Sequence, residues 1–254
     1  MRPAALVTGA RRGIGRATCA ALAARGFDVV GADLSAEGAA ETESAVIAAG
    51  GAFRFLTADV AATAAHATLV EAAWAAFGGL ECLVNNAGVG AMARGDLLDV
   101  SETSFDRCLG VNARGAFFLA QAVARRMLAT DAPARGPRSL LFVSSANAFM
   151  PAVERGEYCV SKAAASMVAQ LFAVRLAEAG IAVHEIRPGV IRTDMTAAVA
   201  DRYTARIKAG LTPIRRWGET ADVGRAIASL AAGDLPFTTG DAFHIDGGLH
   251  LHRL

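Results

Sequence analysis

Short apolar runs alternate with longer stretches in which apolar residues recur at helical spacing along the chain. Ala4 to Thr8, Asp28 to Asp33, Ala52 to Thr57, Cys82 to Val84, Leu140 to Val143, Ala182 to Ile186 and Ala242 to Ile245 read as strands. Between them, the pattern predicts helices running to about Arg25, over Glu37 to Ala49, Ala64 to Phe77, Thr103 to Leu128, Glu157 to Ala179 and Glu219 to Ala232. Gly26 and Gly50-Gly51 stand where such helices stop. Strand runs as apolar as Leu140 to Val143 are buried on both faces, and strict strand–helix alternation argues for a parallel sheet covered by helices on both sides. The segment from Val190 to Gly218 is less regular, and Asp131 to Pro137 reads as a surface loop rather than a domain boundary. One α/β domain over residues 1–254, with about seven strands, accounts for the pattern.

Composition narrows the class. With 254 residues, 54% of them hydrophobic and 19% charged, the chain is globular and long enough to bury a large core. A formal net charge of +1 without a basic run gives no footprint for nucleic acid or an anionic membrane surface. Cys19, Cys82, Cys108 and Cys159 are scattered without metal-ligand spacing and read as reduced core residues. Met1-Arg-Pro leads into a strand too short for a signal core, and no apolar stretch approaches a membrane span, so the expectation is a cytoplasmic protein. His250 and His252 are spaced like a possible metal pair, but no carboxylate or Cys clusters with them; they read as solvated tail residues, and no metal site is expected.

The chemistry begins at Tyr158 and Lys162. They are four residues apart, so a helix there puts phenol and ammonium on one face, one turn apart. A free phenol titrates near ~10, and a neighbouring cation favours the phenolate and moves it toward neutral pH, where it could exchange a proton with an alcohol or carbonyl. Ser145 follows a buried parallel strand, at the carboxyl end where such sheets carry chemistry, and its hydroxyl could hold the same oxygen. Taken alone, the pair reads more readily as a half-buried ring beside a solvated amine.

A second constellation is Gly9-Ala-Arg-Arg-Gly13-Ile14-Gly15, between a strand and a helix. Backbone N–H groups at such a turn, together with the helix dipole, favour a phosphate. Gly9 permits the tight turn, Gly13 the close approach of a ligand, and Gly15 close packing of the helix. The spacing G-x3-G-x-G departs from the dinucleotide fingerprint G-x-G-x-x-G, but the strand–turn–helix context favours pyrophosphate binding.

Thr8 through Gly15, Asn85-Asn86-Ala87-Gly88, Asn112, Ser145, Tyr158-x3-Lys162, Pro188-Gly189 with Thr193, and Asp246-Gly247-Gly248 occur in the order and spacing of the short-chain dehydrogenase/reductase family. The chain resembles that family over essentially its whole length. The resemblance implies a single Rossmann-like, doubly wound domain that binds NAD(H) or NADP(H) and moves a hydride to or from a carbinol carbon. In it Tyr158 resembles the general acid/base, Lys162 the residue that lowers its pKa and holds the nicotinamide ribose, and Ser145 the group that polarises the substrate oxygen. Asn112 resembles the member that holds a water in the proton relay, or bonds backbone inside its helix. Gly9, Arg12, Gly13, Ile14 and Gly15 resemble the pyrophosphate turn. Asn86, Ala87 and Gly88 resemble the segment lining the adenine ribose, with Asn85 more structural. Asp59 and Val60 resemble the adenine contact, although an exposed loop would use the same residues. Pro188, Gly189, Val190 and Thr193 resemble the segment at the carboxamide; Thr193 could equally cap a short helix over residues 194–200.

Residues 146–157 and 195–217 line the substrate cleft in the family. Here they supply Asn147, Phe149, Met150, Glu154, Arg155, Met195, Tyr203 and Trp217. Phe149 and Met150 suggest an apolar wall; Glu154 and Arg155 either bind a polar or anionic group or pair with each other. The chain is similar to ketoacyl carrier-protein reductases and to sugar or polyol dehydrogenases, so the substrate expected is a small alcohol or ketone. For the cofactor, Asp33 ends the second strand where a carboxylate can accept from ribose hydroxyls and repel a 2′-phosphate. Arg12, with Arg11 beside it, argues for NADP and could equally pair with Asp33. We rank Asp33 above Arg12 and expect NAD, with NADP possible. Phe117, Phe118, Met167, Leu171 and Phe172 need cover, and in the family the two helices that carry them form a four-helix contact, the last strand adding a second interface. A homodimer or homotetramer is therefore expected. Two functions stand: an oxidoreductase, favoured because Ser145, Tyr158, Lys162 and Asn112 are all present, and a non-catalytic NAD(P)-binding regulator or scaffold of the same fold.

Overall fold

The computed structural model describes residues 1–197 and 199–251. Strands β1 (Ala4–Thr8), β2 (Asp28–Asp33), β3 (Phe53–Thr57), β4 (Cys82–Asn85), β5 (Arg138–Val143), β6 (Ile181–Pro188) and β7 (Ala242–Ile245) form a seven-stranded sheet in the order β3-β2-β1-β4-β5-β6-β7. Every pairing is parallel. Helices α1 (Gly13–Ala24), α2 (Ala39–Ala48), α3 (His66–Phe77), α4 (Glu102–Leu109), α5 (Ala116–Leu128), α6 (Gly156–Leu176), α7 (Asp194–Ala197), α8 (Ala200–Lys208) and α9 (Thr220–Ala231) lie in the connections.

Strand side chains alternate between two cores. Leu6, Val30, Leu83, Leu140, Phe142 and Val183 pack with α3, α5 and α6. Ala5, Val7, Val29, Val84, Leu141 and Ile186 pack on the other face with α1 and α9. The expected doubly wound layout is thus the observed one. At the amino-terminal edge the 131–137 loop is anchored by Arg135, which donates to the buried Glu81 carboxylate at 3.0 and 2.8 Å and to the Phe77 carbonyl at 2.7 Å.

The helical pattern from Thr103 to Leu128 is not one regular helix. Ser101 caps α4 by accepting from the Ser104 N–H at 3.2 Å, and a π-helical turn over Gly110–Gly115 separates α4 from α5. A Cβ on Gly115 would lie 2.5 Å from the Val60 carbonyl oxygen, so glycine lets the loop after β3 press on this turn. The less regular segment before α9 contains α7 and α8.

The expectation that no apolar stretch approaches a membrane span needs correction. Residues Val153–Ala179 make a 27-residue helical segment holding an 18-residue stretch of mean hydropathy 1.3, enough by length and composition alone to cross one. Its apolar content has two sources. One face of α6, with Ala165, Val168, Ala169, Ala173 and Leu176, packs in the core, while Val160, Met167, Leu171 and Val174 are exposed on the other. Of the aromatics expected to need cover, Phe118 is exposed, whereas Phe117 and Phe172 turn inward and meet edge to face at 5.4 Å. All four cysteines are free.

Candidate active site

The strand order reverses beside β1, so the connections leaving β1 and β4 diverge and open a crevice at the carboxyl edge. Thr8 and Asn86 hold its two lips together. The Thr8 hydroxyl accepts from the Asn86 and Ala87 N–H groups at 3.1 and 3.0 Å, and the Asn86 amide donates to the Thr8 and Gly9 carbonyls at 2.8 and 3.2 Å. Gly9 sits at φ +67°, and a Cβ on Gly15 would meet the Gly9 carbonyl oxygen at 1.9 Å, so a side chain at 15 would destroy the turn. α1 begins at Gly13 with no side-chain cap and no acidic residue in its first turn. That unneutralised helix start suits a pyrophosphate.

Asp33 is held open-ended at the tip of β2. Its carboxylate accepts from the Arg11 N–H at 3.2 Å and the Leu34 N–H at 2.8 Å, and the Arg11 side chain lies 3.4 Å from it. Arg12 does not pair with Asp33: it reaches Asp194, 3.0 Å away beyond β6. Asp59 is exposed and turns its carboxylate on the Ala61 N–H at 2.8 Å, while the Val60 carbonyl accepts from His66 at 2.9 Å. Both therefore close their own loop. Asn85 is buried, donating to the Ala116 carbonyl at 3.5 Å. Gly189 packs its backbone on Asp246, and the Val190 carbonyl accepts from the Gly218 N–H at 3.0 Å. Thr193 is not a side-chain cap for α7: the Thr196 hydroxyl takes the Thr193 N–H at 3.1 Å and donates to the Ile191 carbonyl at 2.8 Å. The Thr193 methyl instead lies 3.8 Å from where a Gly13 Cβ would be, so the β6 and β1 connections face each other.

Tyr158, Lys162 and Ser145 converge at the ends of β5 and α6. The Lys162 ammonium donates to the Val143 carbonyl at 3.0 Å and lies 5.7 Å from the Tyr158 ring centroid. Lys162 is 5% exposed, and burial pulls its pKa down to about 8 against the opposing pull of Glu185. Burial also pushes the Tyr158 phenol up, with Ser145 and then Arg155 working against it. Desolvation thus outweighs the cation's pull that the helical spacing suggested, and the phenol is raised rather than moved toward neutral pH. A Cβ on Gly88 would sit 3.2 Å from both the Lys162 ammonium and the Asn112 amide oxygen, so Gly88 is the gap that lets the two side chains in. Asn112 accepts from the Val89 N–H at 2.8 Å and donates to the Val89 carbonyl and the Ser161 hydroxyl, both at 2.9 Å. Its amide thus bonds the Val89 backbone in the connection after β4, not backbone inside its own helix.

A buried polar hub underneath escaped the sequence reading. Glu185 is 2% exposed and accepts from Ser144, from Ser166 at 2.7 Å, and from Arg187 at 2.9 Å on each oxygen. The available signal was an acidic residue inside an apolar strand. Nor do Glu154 and Arg155 pair with each other. Glu154 lies 3.9 Å from Arg94, and Arg155 donates to the Tyr203 hydroxyl at 3.2 Å. Burial works to raise the Tyr203 phenol, but Arg155 and Arg94 outweigh it and pull it down. Phe149 stands edge-on to His244 at 5.3 Å, and the Asn147 amide donates to the Met150 carbonyl at 2.8 Å. Trp217 packs on Tyr203 at 6.1 Å and donates to Thr204 at 3.0 Å.

His250 is a correction. The fold returns it to a carboxylate: its Nδ1 lies 2.8 Å from Asp246, and its ring stacks on His244 at 4.0 Å. His244, Asp246 and His250 have ligand-type atoms within 4.8 Å of one another. Both Asp246 oxygens already accept from main-chain N–H groups, of Gly248 at 2.8 Å and His250 at 3.1 Å. His252 lies outside the described residues.

Comparison with known proteins gives a consistent picture. A family profile described as enoyl-(acyl carrier protein) reductase matches residues 9–250. A 2-dehydro-3-deoxy-D-gluconate 5-dehydrogenase of Dickeya dadantii is 32% identical over 96% of this chain and 94% of its own. A crystal structure of a 3-oxoacyl-[acyl-carrier protein] reductase from Brucella melitensis in complex with NAD superposes with a TM-score of 0.97 and 50% identity, covering 100% of this chain and 99% of that one. A structure assigned as a 2-deoxy-D-gluconate 3-dehydrogenase from Agrobacterium tumefaciens, with bound NADP, gives a TM-score of 0.86 and 31% identity over 97% and 96% of the two chains.

The lowered Lys162 pKa predicts a stability signature. Between about 8 and the ordinary 10.5 the unfolded chain holds a proton that the folded one has released, so wild-type stability rises with pH across that window. Relative to Lys162→Met, the wild type should gain on the order of 3 kcal/mol from pH 7 to 10.5. Chemical denaturation at both pH values checks this; a pH-independent difference would mean the lysine is not desolvated.

Proposed function

The chain belongs to the short-chain dehydrogenase/reductase family, and from that premise we propose that Tyr158, Lys162, Ser145 and Asn112 form its catalytic machinery. The enzyme is an NAD(P)-dependent oxidoreductase that interconverts a secondary alcohol and a ketone. The observation that carries the assignment of residues is the Tyr158 side chain meeting Ser145 through its hydroxyl, with the Lys162 ammonium 5.7 Å from its ring centroid, where β5 ends. When bound, the nicotinamide supplies the hydride gained by the carbonyl carbon, or takes the one lost by the carbinol carbon. Tyr158 gives its proton to the ketone oxygen as the alcohol forms, and Ser145 donates a hydrogen bond to that oxygen. The Lys162 cation steadies the phenolate left behind. Asn112 fixes the Val89 backbone and the start of α6 through Ser161, keeping the tyrosine's helix in register with the crevice. No observation favours the non-catalytic alternative.

Gly9, Arg12, Gly13, Ile14 and Gly15 would hold the pyrophosphate, and Asp33 the adenine ribose. Asp59, Val60, Asn86, Ala87 and Gly88 would line the adenosine end; Pro188, Gly189, Val190 and Thr193, with Tyr158 and Lys162, the nicotinamide end. What supports NAD over NADP is Asp33, whose carboxylate is fixed by two main-chain N–H groups, and the NAD complex of the 50% identical relative. Arg12 is drawn away to Asp194, although Arg11 partly offsets the carboxylate. The exposed Val160, Met167, Leu171 and Val174 face of α6, with Phe118 of α5, supports a homodimer or, with a second interface, a homotetramer.

Tyr158→Phe should bind NADH normally while losing about 10²–10⁴-fold in kcat; a near-normal kcat would remove Tyr158 from the proton path. Because burial holds the phenol protonated, ketone reduction in the wild type should stay level through neutral pH and fall only on the alkaline side, while alcohol oxidation rises with pH. For the cofactor, kcat/KM should favour NAD in the wild type and move toward NADP in Asp33→Ser. Wild-type preference for NADP would show that the arginines outweigh Asp33. Light scattering at micromolar concentration should find a dimer or tetramer, and a monomer would refute the proposed interface.

A further inference from the structure

Arg155, Arg94 and Tyr203 reach one spot from three different carboxyl-edge connections. Arg94 lies between β4 and α4, Arg155 immediately before α6, and Tyr203 in α8 beyond β6. We propose that this cluster is a carboxylate-binding subsite, which makes the substrate a hydroxy or keto acid rather than a neutral alcohol or a thioester. The inference rests on the ketone–alcohol chemistry assigned above and narrows its substrate.

Charge and hydrogen bonding are both left incomplete at the cluster. Arg155 has five N–H donors to satisfy. Its side chain donates to the neutral Tyr203 hydroxyl, and its Nε is buried with no hydrogen-bond partner. Glu154, next to it in sequence, is turned to Arg94 and lies at the limit of an ion pair, 3.9 Å. Glu154 thus faces only Arg94, and at that distance, while Arg155 meets no carboxylate among the described residues. A planar guanidinium matches a carboxylate through paired N–H···O bonds, and the terminal N–H groups of Arg155 and Arg94 beyond those turned to Tyr203 and Glu154 are the donors such a ligand would meet. The Tyr203 hydroxyl accepts from Arg155, and Arg94 also reaches it, so its own proton is free to point at a bound oxygen.

Location ties the cluster to the reaction. Arg155 precedes Tyr158 by three residues at the amino end of α6, and its charge acts on the Tyr158 phenol. A carboxylate held there would lie within the same crevice as the reacting oxygen. Tyr203 is fixed from behind by Trp217 and Ile207, which lets it serve as a rigid wall. Two relatives named for gluconate derivatives fit a carboxylate-bearing substrate, whereas the carrier-protein reductase does not require one.

The test uses full-length enzyme with NAD, and matched probes: D-gluconate and 3-hydroxybutyrate against gluconamide and 3-hydroxybutyramide. Binding to the holoenzyme is read by calorimetry, and turnover by nicotinamide absorbance. At least one acid should bind ten-fold or more tighter than its amide. Arg155→Gln should weaken that acid at least ten-fold and leave the amide unchanged, Arg155→Lys should restore part of the loss, and Arg94→Gln should act in the same direction. Equal binding of acid and amide, no binding of either acid, or equal losses on both in Arg155→Gln would overturn the subsite. Turnover of neutral probes without discrimination would sink the subsite while leaving the alcohol–ketone reading intact; absence of turnover on any alcohol or ketone, with acids still discriminated, would sink the latter alone.

Discussion

Burying one ammonium sets the terms for the rest of the site. Lys162 lies inside the protein with the Val143 carbonyl as its one close acceptor among the described residues, and burial lowers its pKa to about 8. An isolated buried cation is costly, so its surroundings must supply acceptors and opposing charge. Glu185 supplies that charge from β6, but a buried carboxylate has the same problem, and Ser144, Ser166 and Arg187 surround it in turn. Ser144 is adjacent to Ser145, so the network that makes the lysine tolerable also fixes the end of β5 that carries the candidate oxygen-binding hydroxyl. Polar residues inside β6 are the visible trace of this constraint.

The crevice depends on a different kind of restraint. Parallel strands diverge into opposite connections only where the order reverses, and there the backbone loses its ladder partners. Thr8 and Asn86 replace them with side-chain bonds across the gap. Glycine does the complementary work: Gly15 lets the Gly9 carbonyl approach, and Gly88 admits Lys162 and Asn112 together. The π turn at Gly110–Gly115 belongs to the same arrangement, since it delivers Asn112 to the Val89 backbone while Gly115 accepts the Val60 loop.

Sequence periodicity carried the strands and most helices to within a few residues, because buried parallel strands and amphipathic helices leave a local pattern; the π turn that splits the 103–128 stretch, and α7 and α8, were not carried by it. The paired glycines, Asn112, Ser145, Tyr158 and Lys162 were legible for the same reason: their spacing is local or matches a known order. Long-range pairings were not. Arg11 rather than Arg12 meets Asp33 across 22 residues, Arg155 meets Tyr203 across 48, and Arg135 meets Glu81 across 54. Nothing in a run of residues says which of two adjacent arginines turns inward. His250 looked isolated because Asp246 appeared as part of a glycine turn, while the chain reversal that joins them uses Gly247 and Gly248 at positive φ. The Tyr158 pKa was misjudged because helical spacing reports a neighbour's charge but not how far both groups are removed from water.

That last point links the proton donor to the substrate end. Desolvation favours neutral forms of both partners, raising the phenol and lowering the ammonium, so Tyr158 stands protonated and ready to act as an acid. Arg155 opposes this through its charge, which favours the phenolate. A carboxylate on Arg155 would cancel much of that cation's field at Tyr158 and hold the phenol more firmly protonated until the ketone oxygen takes its proton. An acid substrate bound this way would therefore affect both orientation and acidity, since the group that anchors it is one of the charges that set the proton donor's strength.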